Sequence, residues 1–216
     1  MKQYLVQTII TPYSKKNLFG KRFMYFKDYY NQSSILSVYC LTLGYMYKDK
    51  IEFVLELLGN SKADLKSHID GISKMAELIK KKLNNDTKNV HSLFVDTTVK
   101  HHLEVFYKNQ NLDHNNIMDL SKIGNDKIPL EVVVTLSEML IYSYIGFGFK
   151  YPELTEQLLT FKVDDALHEL AIKSGLDIPK EKIELDVEAN IKFAKELIKP
   201  FVTKYYSNLV STLELE

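Results

Sequence analysis

Six histidines, one cysteine and a carboxylate stranded in the most apolar stretch of the chain are the side chains with chemistry to offer. Glu138 lies within Leu130 to Tyr144, a segment otherwise interrupted only by Glu131, Thr135, Ser137 and Ser143. A carboxylate in such surroundings is desolvated, so it is either paired or raised in pKa, and raised carboxyls are the ones that exchange protons near neutrality. Tyr142 follows one helical turn on. With Ser137, Ser143 and Tyr144 it would line a polar pocket inside a helical bundle, where such folds hold ligands. The plainer reading is a structural carboxylate that reaches solvent or bonds a lysine or tyrosine.

The histidines are His68, His91, His101, His102, His114 and His168. Their densest set runs from His91 to His114 with Asp96, Glu104 and Asp113 between. His101 and Glu104, three apart, can share a helical face, which makes His101, His102 and Glu104 the candidate ligands for a divalent metal. Asp64 with His68, and Asp164 with His168, each set a carboxylate one turn before an imidazole, a spacing that can orient a base or describe a plain surface pair. His168 thus joins Glu138 and Tyr142 as a catalytic candidate. Cys40, the sole cysteine, sits in an apolar run and excludes an intrachain disulfide or a zinc site built on several thiolates. No phosphate-binding P-loop, dinucleotide GxGxxG, nucleophile elbow GxSxG or HExxH occurs, so no cofactor is expected.

From Lys15 to Tyr30 cations alternate with aromatics, a composition that can stack on single-stranded nucleic acid or build a core or protein interface. The chain carries 28 basic and 28 acidic side chains, so no global field draws it to nucleic acid or acidic lipid. Arg22 is the only arginine, and lysine lacks the fork that reads phosphate and guanine edges in pairs. Membrane contact is not expected on these grounds, and nucleic acid is disfavoured without being excluded.

The elements that must position these groups are helices. Leu65, Ile69, Ile72, Ala76, Ile79 and Leu83 keep helical spacing while Lys66, Asp70, Lys74, Glu77, Lys81 and Lys82 occupy the opposite face. Ser61 with Asp64 resembles a capping box before them. Ser33 and Ser34 are placed to cap a helix over 35–47, and no charge occurs from Tyr29 to Tyr47. The two charge-poor helices, 34–47 and 130–145, need cover on every side, which the amphipathic helices 61–83 and 183–209 can supply. Gly146 and Gly148 are expected to cut the second run, which argues with Glu138 against a membrane span. Pro129 is placed as a first helical residue, Val90 to Tyr107 and Pro152 to Phe161 as helices, and Pro200 as a kink or break. Gln3 to Ile10 reads as a short strand or irregular arm, and 17–30 fits strand or helix equally.

The expectation is an all-α multi-helix bundle with a buried apolar central pair, a single domain over 1–216 whose residues 1–30 form an aromatic and basic arm. The N-terminus is too short and too interrupted for a signal peptide, so the expected setting is cytoplasmic. The leading functional expectation is a non-enzymatic interaction or accessory protein whose partner is a protein, either a second copy or another chain. Behind it stand a small-molecule or metal-dependent helical enzyme with its pocket near Glu138, and a single-stranded nucleic-acid binder using the N-terminal stretch.

Overall fold

The computed structural model describes residues 1–83, 90–109, 127–162 and 184–215. A helical turn α1 (Lys2–Leu5) continues as a π-helical turn over Val6–Ile10 and a 3-10 turn over Thr11–Tyr13. Strands β1 (Lys15–Lys16) and β2 (Arg22–Tyr25) follow, then α2 (Phe26–Met46), α3 (Ile51–Leu57), α4 (Leu65–Lys82) and α5 (Val90–Asn109). Strand β3 (Lys127–Pro129) leads into α6 (Leu130–Lys150) and α7 (Pro152–Leu159). The paired strands β4 (Phe161–Lys162) and β5 (Glu184–Leu185) precede α8 (Val187–Tyr205). The architecture is the predominantly α-helical, multi-helix fold that the periodicities predict.

Helices α2 and α6 form the centre, each 21 residues long. They start side by side, because β2 and β3 pair antiparallel immediately before them, and they meet again near their C-terminal ends. The two helices therefore run in the same direction. At that second meeting the contact is backbone on backbone. A Cβ on Gly44 would fall on the Ile145 carbonyl oxygen and 2.9 Å from Phe149 N, and one on Gly148 would fall on the Leu41 carbonyl oxygen and 3.0 Å from Tyr45 N. Only hydrogen fits at either position.

The crossing is reciprocal. The offset that takes Gly44 to Gly148 (148 − 44 = 104) also takes Leu41 to Ile145 and Tyr45 to Phe149, so each glycine meets the same two positions of the other helix. The same offset exchanges the two sides of the strand register Phe23↔Pro129, Met24↔Ile128, Tyr25↔Lys127. Residues 23–46 and 127–150 are two strand–helix units related by an approximate local two-fold axis. Few shared residue types besides Ser33/Ser137, Leu36/Leu140 and Gly44/Gly148 mark this relation in the sequence.

The sheath is amphipathic, as its spacing predicts. Leu65, Ile72, Ala76 and Ile79 of α4 are buried against α6, while Lys66, Asp70, Lys74 and Glu77 face solvent. Helix α8 covers α2 with Ala194, Ile198 and Val202, and α5 lies against both central helices with Phe94, Val95 and Val99. Helix α6 has the length and composition of a membrane span, and Val133, Leu136, Leu140, Ile141, Ile145 and Phe147 are completely covered by this packing. Cys40 is likewise completely buried, and desolvation pushes its thiol pKa up.

Several local expectations are corrected. Residues 3–10 are helical rather than extended: Leu5, Val6, Ile9 and Ile10 turn inward at helical spacing, and the Thr8 and Thr11 hydroxyls donate back to the Tyr4 and Gln7 carbonyls. Ser33 and Ser34 do not cap α2, which has already begun at Phe26; their hydroxyls donate to the Tyr29 and Tyr30 carbonyls inside the helix. Ser61 donates to Asp64 Oδ2 at 2.6 Å instead of closing a capping box. Gly146 and Gly148 lie inside α6, Pro129 ends β3 and precedes the first helical residue, and α8 continues through Pro200. The helix expected at 164–173 and the loops around 110–126 lie outside the described residues.

The crossing makes a direct test. Gly44→Ala and Gly148→Ala are each expected to lose about 3 kcal/mol or more of stability, because the obstructing atoms are backbone and cannot swing aside. Gly71→Ala, at an exposed position inside α4 with open space where the methyl would lie, is expected to gain about 0.5–1 kcal/mol. Urea unfolding of the three variants checks both directions.

Candidate functional site

Helical rotation divides the pocket predicted around Glu138. Ser137, Ser143 and Tyr144 turn into the core, whereas Glu138 and Tyr142 lie on the outer side of α6 with exposed Glu131 and Thr135. At 100° per residue, 137, 141 and 144 share one face and 131, 135, 138 and 142 the other. Glu138 is half-exposed and makes no hydrogen bond or ion pair among the described residues. Tyr142 donates to Asn60 Oδ1 at 3.1 Å, and Lys2 Nζ stands 5.1 Å from its ring centroid. His168 lies outside the described residues, as do Asp164, His114 and Asp113.

The metal candidates are neighbours in sequence that serve different surroundings. Lys82 Nζ approaches both His101 Nδ1, at 3.3 Å, and Glu104 Oε2, at 3.4 Å. A lysine ammonium therefore stands where a cation ligated by this pair would compete. His102 points inward instead, with Nε2 at 2.6 Å from Ser143 Oγ and Nδ1 without a partner among the described residues. Among the described residues no three histidine, cysteine or carboxylate groups gather at metal-binding distance. Asp64, bonded to Ser61, makes no hydrogen bond to His68.

Burial decides the protonation of the inner imidazoles. Desolvation, with help from His101 and Lys82, pushes His102 down to about 3. His91, wedged between α2 and α7 with Nδ1 at 3.2 Å from the Leu158 carbonyl and Nε2 at 3.4 Å from Ser37 Oγ, is pushed down to about 4, desolvation again being the largest cause. Along the same seam Tyr30 donates to Asp96 Oδ1, and the fully buried Tyr144 hydroxyl has no partner among the described residues. The bonds of His91, His102 and Asp96 tie α5 to α2, α6 and α7.

The most unusual surface lies at the other end of the sheet. β1 and β2 form a hairpin pairing Lys15 with Phe23 and Lys16 with Arg22. Its turn is closed by its own polar groups: Asn17 N donates to Lys21 O at 2.9 Å, Gly20 N to Asn17 O at 3.0 Å, and Asn17 Oδ1 accepts from both Phe19 N and Lys21 N. Gly20 supplies the φ of 76° that the turn demands. The outcome is that Leu18 and Phe19 stand in water, 102% and 88% exposed. The base is fixed. Met24 is buried, Arg22 donates to the Thr11 carbonyl and Ser14 Oγ, Lys15 Nζ lies 4.6 Å from the Tyr25 ring centroid, and Lys127 Nζ lies 4.9 Å from that of Phe23.

Charge is uneven here although the chain sums to zero. Lys2, Lys15, Lys16, Lys21, Arg22 and Lys27 precede Asp28, the first acidic residue. Lys16 and Arg22 face each other across the hairpin, a like-charge pairing that disfavours the sheet. The Lys16 and Lys21 side chains are exposed, and their ammonium groups make no hydrogen bond or ion pair among the described residues. Net charge, being a sum, conceals this segregation. The legible signal was Asn17 and Gly20 bracketing Leu18-Phe19 inside a basic run. An open groove of about 390 Å³ between α8 and the C-terminal tail contrasts with it, since Lys192, Lys195 and Lys199 there are matched by Glu188, Glu196 and Glu214.

The neutral histidines make stability pH-dependent. An unfolded histidine takes up its proton near 6.5, whereas His102 resists until about 3 and His91 until about 4. Below 6.5 the unfolded chain therefore binds more protons at these two histidines, so their contribution to stability falls as pH drops through the window from 6.5 to about 4. His102→Gln is expected to remove one proton's share of that slope, about 1.4 kcal/mol per pH unit. Urea midpoints measured across the window check this, an unchanged slope being the contrary result. No family model, curated protein or solved structure matches this chain.

Proposed function

We propose that this chain is a non-enzymatic binding protein that docks on a macromolecular surface through the β1–β2 hairpin, in a cytoplasmic setting. The observation that carries the reading is the exposed Leu18-Phe19 pair, held in water by a turn in which the Asn17, Phe19, Gly20 and Lys21 N–H groups are bonded internally. Two adjacent apolar side chains at a rigid tip lose little conformational freedom on docking, which lowers the cost of association. Among the described residues the candidates for the enzyme reading lie apart: Glu138 and Tyr142 face away from the buried serines of α6, and His101 and His102 point apart. Single-stranded nucleic acid is the second reading, favoured by the exposed Phe19 ring between Lys16 and Lys21.

A photo-crosslinking phenylalanine analogue at position 19, activated in cells of the source organism, tests the reading. A defined adduct at 19, identified by mass as protein, lipid or nucleic acid and absent when the probe replaces exposed Lys66 of α4, is the expected result. The same faint adducts from both positions would mean that the tip docks on nothing.

A further inference from the structure

We infer that the surface met by the hairpin is an anionic lipid bilayer, with Leu18 and Phe19 entering the acyl boundary and Lys15, Lys16, Lys21 and Arg22 lying at the phosphates. This rests on the reading of the hairpin as the docking element and names its partner. Three features of the tip select lipid. First, the pair at the apex is Leu next to Phe. A nucleic-acid platform needs π-faces, which Phe19 has and Leu18 lacks, whereas hydrocarbon accepts both equally.

Second, the backbone of the turn is prepared to leave water. The N–H groups of Asn17, Phe19, Gly20 and Lys21 all have acceptors within the turn itself, at 2.9–3.0 Å. Unsatisfied N–H groups are an obstacle to placing a loop in lipid, and here four of the five from Asn17 to Lys21 are bonded, leaving the Leu18 N–H and the apical carbonyls to the headgroup water. A protein partner would gain from free turn amides it could bond; a bilayer would not. Third, the charges are arranged by height. The apex is uncharged from Asn17 to Gly20, and the cations stand on the strands just behind it: Lys15 and Lys16 on one side, Lys21 and Arg22 on the other. Seated apex-first, the hairpin brings its like-charged cross-strand pair to the layer of headgroup phosphates, which relieves the repulsion between them. No carboxylate pairs with any of the four among the described residues.

The chain contains no tryptophan, so Phe19→Trp supplies the only indole as a reporter. The probe is vesicles of phosphatidylcholine with roughly a third phosphatidylglycerol, against phosphatidylcholine alone. The expected result is a blue shift of the indole and co-sedimentation with the anionic vesicles only, both weakened by salt. Leu18→Ser with Phe19→Ser should lower the partition coefficient about tenfold or more, and Lys16→Glu with Lys21→Glu comparably, at unchanged thermal midpoints because all four side chains are exposed. No partition into anionic vesicles, or partition indifferent to the apex substitutions, overturns the inference. A salt-sensitive shift with single-stranded oligothymidine and none with vesicles overturns it in favour of nucleic acid. If vesicles fail while position 19 still yields a defined protein adduct, lipid is wrong and the docking role of the hairpin stands; if both fail, both fall.

Discussion

The contact of α2 with α6 at Gly44 and Gly148 is the constraint from which the rest of the arrangement follows. Two helices whose backbones touch have no freedom to slide, because any shift by one residue would drive a side chain into a carbonyl. The register is thereby locked at the far end of the pair, and the near end is placed with it. Strands β2 and β3 are simply the last residues before each helix, so fixing the helices side by side leaves the strands side by side as well. β1 then folds back on β2, and its turn projects beyond the bundle. The apex that carries Leu18 and Phe19 is in this sense an extension of the central crossing.

The electrostatic organisation follows the same frame. Ionisable groups that lie near the pair are kept neutral: the His91 and His102 imidazoles lose their proton affinity to desolvation, and the buried Tyr29 and Tyr144 phenols are pushed up for the same reason. Charged side chains sit on the outer faces of α4 and α8, and in the groove beside α8 the lysines are matched by Glu188, Glu196 and Glu214. The N-terminal segment departs from this balance, with cations and no acids up to Asp28. A chain with zero formal charge thus carries a strongly polarised tip.

Much of the frame is readable in the residues themselves. Leu65, Ile72, Ala76 and Ile79 were placed on the buried side of their helix by spacing alone, and the uncharged stretch from Tyr29 to Tyr47 announced a helix covered all round. Three features were not readable in that way. Whether Glu138 points inward depends on the rotation of α6 about its own axis, and an apolar helix with polar residues on two sides does not reveal it. Gly146 and Gly148 look like helix breakers until one knows that another backbone fills the space their missing side chains leave. Ser33 and Ser34 match a capping position, but their hydroxyls are equally able to bond a carbonyl one turn back, and the helix had enough upstream aromatic burial to start at Phe26. The cationic run around the hairpin is hidden by averaging, since a whole-chain charge carries no position.

The pairing of Phe23, Met24 and Tyr25 with Pro129, Ile128 and Lys127 joins segments about a hundred residues apart in the chain. Closing so large a loop for three short ladder rungs is entropically unfavourable, so this sheet cannot nucleate folding. It has to wait until the long helices have docked, and it is the first to separate when they loosen. The β1–β2 hairpin, whose turn bonds are all local, is not bound by this delay, but its seat beside the central helices is complete only in a finished bundle. A nascent or partly unfolded chain would carry the same hairpin with no fixed orientation.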